Sequence, residues 1–425
     1  MKAIKNKMAV ILYLSIPLCS VLYQSIIGSR ELVIAVLLVS IVISLDGLKI
    51  TVLKENIYWL SFIIAIIPSL TQRDITSRVL AELTICFLFI LFLILVPCSW
   101  SSIKCGYNFI FIFGIINAIA IILQYILRER FNDIVFSHFT EYAKNYVRLY
   151  YRSGYFMGFN HVPGTSAGVI TFTIGMIVLD YILKYRNRGK KRFLLLLFIL
   201  IYSLLLTQKK GILFVTIATL FFLYYNLIGT KRRIVSLLVL MFLCPIVYFS
   251  FENVLSIISN KEIFYRLSSF FQQIETGKNY DSGRLLLFEN AISIWKTKPI
   301  FGIGWLKFSE YTTTLLGYKN AHYVNLDYLQ FLCETGIVGF ILSIFPIIIT
   351  LYKTIKVLSR FNVINSNIPA SVVVYSIFIQ IFTVIYAFLE IPFFDRTFFL
   401  PIYIFSTICI SKCYSELSYA ERISL

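Results

Sequence analysis

Residues 194–225 read LLLLFILIYSLLLTQKKGILFVTIATLFFLYY, and this stretch decides the fold class. Two long apolar runs are separated by little more than Gln208, Lys209, Lys210 and Gly211. A bilayer core about 30 Å thick requires roughly 20 apolar residues in an α-helix. The stretch therefore predicts two membrane-spanning helices joined by a tight hairpin.

The composition of the whole chain agrees with a membrane protein. Of its 425 residues, 59% are hydrophobic and 14% are charged, and the mean hydropathy is +0.82. Soluble domains carry roughly 25% charged and 45–50% apolar residues. These values exclude a soluble enzyme, a disordered chain and a small disulfide scaffold, and the long apolar runs exclude an outer-membrane barrel. We predict an all-α polytopic helical bundle that forms a single membrane domain over residues 1–425.

The apolar runs predict about twelve transmembrane helices. The first run follows three lysines and lacks a convincing cleavage site, so we interpret it as a retained span and not as a signal peptide. The predicted spans cover residues 8–27, 32–45, 57–70, 79–97, 107–127, 165–183, 193–207, 211–228, 234–251, 331–352, 370–389 and 397–411.

The charge distribution predicts the orientation of these spans. The net charge is +18, from 39 Lys and Arg against 21 Asp and Glu. In a soluble protein this excess would suggest nucleic-acid binding, but here the positive-inside rule accounts for it, and no nucleic-acid partner is expected. Basic clusters such as residues 184–192 and 231–233 fall on one side if twelve spans are counted, so both termini are predicted to be cytoplasmic. The exceptions, on short outward loops, are Arg30, Arg73, Arg78 and Arg396.

Two outward segments are long enough to carry function. The first covers residues 128–164, and the second, residues 252–330, is the largest non-membrane piece. The second is thin for an independent core, so we expect it to pack on the membrane helices as a helical cap.

The second segment carries an arginine beside an apolar helix face. Between residues 281 and 299 the pattern predicts a helix, with Arg284 on or near its apolar face. The alternative is an arginine that reaches to lipid headgroups or pairs with Glu289 or Asp281. The predicted apolar face consists of Phe288, Ala291, Ile292 and Trp295.

Polar residues lead from this segment into the next apolar run. Glu334 stands at the start of that run, where a carboxylate is costly unless it is paired or hydrated. The alternatives are a helix N-terminal carboxylate favoured by the dipole for Glu334 and a solvated loop residue for His322. The polar residues before Glu334 are His322, Asn325, Asp327 and Gln330.

The hairpin lysines and the first outward segment suggest an anionic ligand. Lys209 and Lys210 lie in a tight outward turn, where positive charge is not expected from the loop rule. Arginines fit phosphate oxygens and aromatic rings stack on sugars, so the first segment suits a ligand with both groups. The alternatives are a plain hydrophilic hairpin tip and an aromatic belt. The polar candidates in the first segment are Arg148, Arg152, Asn160 and His161.

No metal or cofactor site is predicted. The chain has three histidines, no HExxH motif and no Gly-rich nucleotide loop before a helix. Its eight cysteines form no CxxC pair and lie mostly in or beside apolar runs, so we interpret them as small hydrophobic residues.

Four stretches, taken in order, resemble the O-antigen ligase and O-antigen polymerase superfamily of bacterial inner membranes. The resemblance covers roughly residues 145–345, and the rest matches only in being hydrophobic. The four stretches are GYFMGFNHVPGTSAGV at 154–169, LLTQKKGILF at 205–214, SGRLLLFENAISIWKTKPIFGIGW at 282–305 and NLDYLQFLCETGIVGF at 325–340.

The resemblance implies a metal-independent glycosyltransferase of the inner membrane, with a cavity that faces the periplasm. Its donor would be a glycan on undecaprenyl pyrophosphate, and Arg284 and Lys210 would hold the pyrophosphate. A chain-length regulator in the membrane is an expected partner. Further substrate-binding candidates are Lys209, Arg148, Arg152, Asn160, His161, Asn325 and Trp295.

The position of the family's catalytic histidine differs in this chain. It is occupied by Asn325, and His322 precedes it by three residues. If the segment is helical, His322 can face the same cavity; otherwise the general base must be Asp327, Glu334 or another carboxylate. The absent histidine favours a polymerase over a ligase. A transporter or flippase of lipid-linked sugars is disfavoured, because the two halves of the chain do not match in loop length.

Overall fold

The protein is described from a computed structural model, which covers residues 2–18, 30–45, 53–183, 190–227, 284–314, 322–361 and 368–424. Within these ranges the regular structure is helical, with no β-strand. The chain divides into two compact units, which are described separately. Unit 1 comprises Met1–Ile110 and Gly283–Leu425, and unit 2 comprises Phe111–Ser282.

Unit 1 is a bundle of apolar helices around a fully buried core. A hydrogen bond from the Tyr13 hydroxyl to the Pro401 carbonyl, at 2.9 Å, ties its first helix to its last. Its helices are α1 (Lys2–Leu18), α2 (Arg30–Ser44), α3 (Leu60–Leu70), α4 (Ser77–Leu95), the start of α5 (Trp100–Leu127), α11 (Arg284–Thr297), α12 (Phe308–Thr314), α13 (Asp327–Ser359), α14 (Ala370–Tyr386) and α15 (Phe399–Ser424), with a 3₁₀ turn at Lys54–Trp59.

Unit 2 contains the end of α5 and the first outward segment. The side chain of Gln124 accepts hydrogen bonds from the backbone of Met157 at 2.7 Å and Gly158 at 2.9 Å, which holds this segment against α5. Its other helices are α6 (Glu129–Phe136), α7 (Glu141–Arg152), α8 (Pro163–Leu183), α9 (Lys190–Leu206) and α10 (Lys210–Leu227). The two short helices α6 and α7 give the first outward segment a defined shape.

The multi-pass helical membrane fold predicted from the sequence is confirmed. Five described helices are long and apolar enough to cross a membrane, namely α4, α5, α8, α10 and α13. Helices also occupy most of the described parts of the other predicted spans, whereas the ninth, residues 234–251, and the end of the first, residues 19–27, lie outside the described residues. The number of spans and their orientation stay predictions.

Helix α13 is broken at Gly336, where φ is 66° and ψ is −173°. A side chain is disfavoured in this left-handed region, so glycine suits the position. The break leaves the backbone carbonyls of Cys333 and Glu334 without helical partners. They accept hydrogen bonds instead from the N–H groups of Ile303 and Gly304, at 3.1 and 3.0 Å.

The segment 299–304 crosses the break and supplies the missing backbone partners on both sides. After the break, Ile337 donates to the Pro299 carbonyl at 2.9 Å and Val338 to that of Ile300 at 3.3 Å. A Cβ atom at Gly302 would collide with the backbone of Glu334, so the two chains touch through their main-chain atoms. Glycine at 302 permits this close approach because it has no side chain. We call this arrangement the glycine crossing.

Helix α11 packs against α13 with a face that partly matches the predicted one, since Ala291 is buried and Phe288 packs against the same core. Leu287 and Ala291 are buried, whereas Ile292 is 40% exposed. The prediction was wrong for Ile292 because α11 is apolar on most of its surface, and its periodicity suits two neighbouring faces equally. The small core under α11 consists of Leu287, Ala291, Ile303, Phe308, Val324 and Cys333.

Candidate functional site

Arg284 is the first residue of α11, and its guanidinium lies against the loop between α14 and α15. Nη1 donates to the Leu389 carbonyl and Nη2 lies next to Glu390 Oε1, both at 2.8 Å. The Arg284 side chain is 37% exposed. A guanidinium has five N–H donors, so an Arg284 fixed by Glu390 can also receive phosphate oxygens at its exposed edge. The partner of Arg284 is therefore Glu390, 106 residues along the chain, and not Glu289. The other predicted partner, Asp281, lies outside the described residues.

Asp327 fixes the start of α13 to the same loop. Its buried carboxylate accepts hydrogen bonds from the backbone N–H groups of Phe393 at 2.8 Å and Phe394 at 3.3 Å. Its own N–H donates to the carbonyls of Ala387 and Glu390. A fully buried carboxylate that already holds two backbone groups suits the positioning of the loop around Arg284 better than contact with a substrate.

Glu334 organises the segments that follow α11. The carboxylate is fully buried and accepts three hydrogen bonds: from Leu306 N at 2.6 Å, Phe308 N at 3.1 Å and Gln330 Nε2 at 2.7 Å. Gln330 in turn accepts from Val324 N at 2.8 Å. Glu334 is therefore paired. It ties the start of α12 and the residues before it to α13, and through Gln330 it also holds the segment that follows α12.

Replacing Glu334 with alanine is expected to destabilise unit 1 strongly. The change leaves three buried donors unpaired, at a cost of roughly 1–3 kcal/mol each. Glu334→Gln keeps one of the two acceptor oxygens and should show a smaller loss of stability. The measurement is the thermal unfolding of the purified protein in detergent. Glu289→Ala, which removes an exposed carboxylate from α11, is the matched control, and an equal melting temperature for both alanine variants would contradict the assignment.

His322 lies on an irregular segment and not on a helix. Residues 322–326 precede α13, and Asn325 adopts a left-handed conformation with φ of 58°. Helical spacing therefore does not place His322 and Asn325 on one face, and that condition of the sequence prediction is not met. The His322 side chain is exposed, and its backbone N–H donates to Thr312 Oγ1 at 3.0 Å.

Trp295 lies near the other end of α11. Its indole Nε1 donates to the Pro299 carbonyl at 3.2 Å. Eleven residues separate it from Arg284, which corresponds to about 16 Å along a helix. Its contribution to glycan binding stays a prediction, and the two side chains do not form one contact site.

Sequence reasoning missed the role of the outward arginines in unit 1. Arg73 donates to the Trp305 carbonyl at 2.6 Å and pairs with Glu310 at 2.7 Å. Arg396 pairs with Glu82 at 3.0 Å, and its Cζ lies 5.2 Å from the centre of the Trp305 ring. The sequence did show that these arginines lie in predicted outward loops, where the positive-inside rule does not expect positive charge. They hold the turn that follows the glycine crossing.

In unit 2, the two hairpin lysines lie beside helix N-termini. Lys210 is the first residue of α10. A Cβ atom built on Gly164, in the first turn of α8, would lie 3.8 Å from Lys209 Cε and 4.0 Å from its Nζ. Helix N-termini carry partial positive charge, so the two lysines strengthen an environment that favours anions.

The hairpin tip is packed against the first outward segment. Gln208 donates its side-chain amide to the Gly154 carbonyl at 2.6 Å, and Phe156 N donates to the Leu206 carbonyl at 3.2 Å. The tip is therefore tied to the backbone of this segment, which does not favour a plain solvated turn.

Asn160 and His161 lie at the start of α8. Asn160 is buried and donates to Ser166 Oγ at 2.9 Å, which ties the loop to the first turn of the helix. His161 is half-buried, and burial lowers the pKa of His161 to about 4. His161 is therefore neutral near pH 7, and it can offer hydrogen bonds but no positive charge to a ligand.

Arg148 and Arg152 lie on the exposed side of α7. They are four residues apart and so share a helix face, while Ala143 and Val147 form the buried face. Tyrosine rings continue along the segment, with Tyr150 and Tyr155 in an edge-to-face contact at 5.5 Å. Exposed guanidinium groups beside aromatic rings suit a phosphorylated or glycosylated ligand.

The predicted site residues thus form two sets. In unit 1 the loop between α14 and α15 connects Arg284 with Asp327, and Glu334 organises the chain next to His322. In unit 2 the first turn of α8 lies next to Lys209, and Asn160 and His161 directly precede this helix. The convergence of both sets on one substrate stays a prediction. Among the residues that the structure describes, no group of three or more His, Cys, Asp or Glu side chains could hold a metal ion.

Comparison with known proteins identifies part of the chain. Residues 195–344 match a family model described as O-antigen ligase. This region of the chain is similar to that family. The match supports the O-antigen polymerase and ligase superfamily and a glycosyltransferase-like enzyme that acts on a lipid-linked oligosaccharide. No curated protein matches the chain.

The matched region includes most of the predicted site. It contains the hairpin lysines and the predicted site residues from Arg284 to Glu334. It excludes the first outward segment and the loop that carries Glu390. Glu390 could therefore not be predicted as a site residue, either from the motifs or from the matched region.

Proposed function

We propose that the chain is a polysaccharide polymerase of the bacterial inner membrane, making O-antigen or a capsular polysaccharide. It transfers a growing glycan from undecaprenyl pyrophosphate to a lipid-linked repeat unit on the periplasmic side, with both termini in the cytoplasm. A chain-length regulator is the proposed partner in the membrane. The observation that carries this proposal is the partly exposed Arg284, which lies in the matched region and is held in place by Glu390 outside that region.

The proposed reaction requires charge stabilisation more than strong acid catalysis. The acceptor hydroxyl attacks the anomeric carbon, the bond from that carbon to the pyrophosphate oxygen breaks, and the hydroxyl proton passes to a base. The leaving pyrophosphate gains negative charge, which Arg284 would stabilise through preorganised donors. The reaction needs no nucleotide, because the donor glycan is already activated as a pyrophosphate ester.

The base is proposed among the groups that a substrate can reach. Asp327 and Glu334 are fully buried and hold backbone N–H groups, so we propose positioning roles for them. His322 is exposed, and the Glu390 side chain is 20% exposed beside Arg284. Both can accept the acceptor proton, and both can be tested separately.

The polymerase is preferred over the ligase because Asn325 stands where the family's histidine is expected. Asn325 also adopts a left-handed conformation before α13. His322 therefore does not share a helix face with Asn325 and does not replace the family's histidine in that way. The ligase is the second candidate, because the matching family model carries that description.

Deleting the gene is expected to leave single repeat units on the lipid A core. Loss of a polymerase stops chain growth but leaves transfer of one unit intact, whereas loss of a ligase leaves bare core. Gel analysis of cell lipopolysaccharide distinguishes the two, with re-expression of the intact chain as the control. Bare core would assign the ligase, and retained intracellular repeat units with no unit on the core would favour a transporter.

A further inference from the structure

Unit 1 contains a cavity at the end opposite to Arg284 and the glycine crossing. The cavity has a volume of about 620 Å³, within the roughly 300–1,000 Å³ typical of small-molecule sites. Helix α4 begins four residues after Arg73 and ends two residues before Pro97, which lines the cavity. Its 19 residues separate the two ends by about 28 Å, so the cavity lies near the other membrane surface.

The cavity carries charged groups of both signs. Lys412 and Glu416 line it and form a loose ion pair at 3.6 Å, and the exposed Glu55 lies on another side. The Trp100 indole donates to Glu416 at 3.0 Å, and Lys412 Nζ lies 5.5 Å from the centre of its ring. Tryptophan and lysine side chains concentrate at the level of lipid headgroups, which places the cavity at that depth.

Two buried amide oxygens in the cavity lining lack hydrogen-bond partners. Asn6 and Asn56 are 4% and 2% exposed. Their amide nitrogens donate to the carbonyls of Pro97 at 3.0 Å and Leu93 at 3.2 Å, while both Oδ1 atoms are without a partner. A buried acceptor without a donor is costly, so this part of the lining suits a ligand that brings N–H groups.

We propose that this cavity binds the headgroup of phosphatidylethanolamine. Lys412 binds the phosphate, and Glu55 and Glu416 bind the primary ammonium, with the amide oxygens of Asn6 and Asn56 as further acceptors. Phosphatidylcholine cannot donate N–H groups, because its ammonium is quaternary. Phosphatidylglycerol has no cation for the two carboxylates. With the orientation proposed above, the lipid belongs to the cytoplasmic leaflet.

The test measures which lipid the full-length protein retains. The protein is reconstituted in nanodiscs with equal amounts of phosphatidylethanolamine, phosphatidylcholine and phosphatidylglycerol, then released in mild detergent, and the bound lipid is counted by native mass spectrometry. We expect phosphatidylethanolamine to be enriched about tenfold over each of the others, the scale of one hydrogen bond to a charged group. Equal retention of the three lipids, or preference for another one, would overturn the proposal.

Two exposed or half-exposed lining residues provide variants that keep the fold. Glu55→Gln and Lys412→Met are each expected to remove most of the enrichment, while Glu129→Gln, an exposed position on α6, should retain it. If both lining variants keep the preference of the unaltered protein, the lipid binds elsewhere and the proposal is wrong. Because only lipid retention is measured, the result does not depend on the polymerase assignment.

Discussion

Replacing Gly336 with alanine is expected to disrupt the glycine crossing and to destabilise unit 1 by about 2–6 kcal/mol. A positive φ with an extended ψ is a conformation that essentially only glycine adopts, and it costs alanine about 1–3 kcal/mol, while forced overpacking adds about 1–3 kcal/mol. The new Cβ would collide with the Ile300 carbonyl and would lie 2.5 Å from the Gly302 nitrogen. These are main-chain atoms, so they cannot move aside as a flexible side chain can.

The measurement is thermal unfolding of the purified protein, together with its level in the membrane. Gly154→Ala is the matched control, because Gly154 also has a left-handed φ, of 80°, but its nearest obstacle is the Gln208 side-chain amide at 3.2 Å. The difference between the two variants isolates the collision in the crossing from the cost of the backbone conformation. Equal losses of stability would show that the crossing contributes nothing beyond that conformation.

Replacing Arg284 with alanine is expected to reduce polymer formation by roughly 10²–10³-fold, the usual effect of removing one preorganised charge-stabilising donor. Arg284 lies at the helix start and is partly exposed, so the protein should still reach the membrane at normal levels. Arg284→Lys should also impair the reaction, because a lysine cannot present the planar fork to phosphate oxygens. The readout is the ladder of chain lengths on a lipopolysaccharide gel.

Two further variants separate the charge of Arg284 from its placement. Glu390→Gln keeps the shape of the partner but removes its charge, so Arg284 is held less firmly and chain growth should slow. Glu289→Gln changes an exposed carboxylate one turn along α11 and should leave the ladder unchanged. An unchanged ladder for Arg284→Ala at normal protein level would remove Arg284 from the proposed site.

The helical membrane fold could be predicted from the sequence because a long apolar run has few stable structures other than a membrane-spanning helix. The close backbone approach of residue 302 to Glu334 requires glycine, because a Cβ atom there would collide with main-chain atoms. The partner of that approach, the break at Gly336, was not predicted, because a left-handed residue inside an apolar run produces no change in hydropathy.

Long-range pairing explains why the candidate site was only partly predicted. The sequence placed Arg284 on the helix that is now α11, but its partner Glu390 follows it by 106 residues, and no local pattern connects them. Glu334 was expected to be paired or hydrated, and the structure shows backbone donors from a turn that lies 26 and 28 residues earlier. The sequence indicates which polar groups need hydrogen-bond partners, whereas only the folded structure shows which groups those partners are.

The glycine crossing also restricts how this chain can diversify. Four backbone hydrogen bonds fix residues 299–304 against α13, so an insertion or deletion there would shift all of them out of register at once. Sequence change within residues 299–304 and 333–338 is therefore expected to substitute residues without inserting or deleting any, because each hydrogen bond joins fixed positions of the two segments.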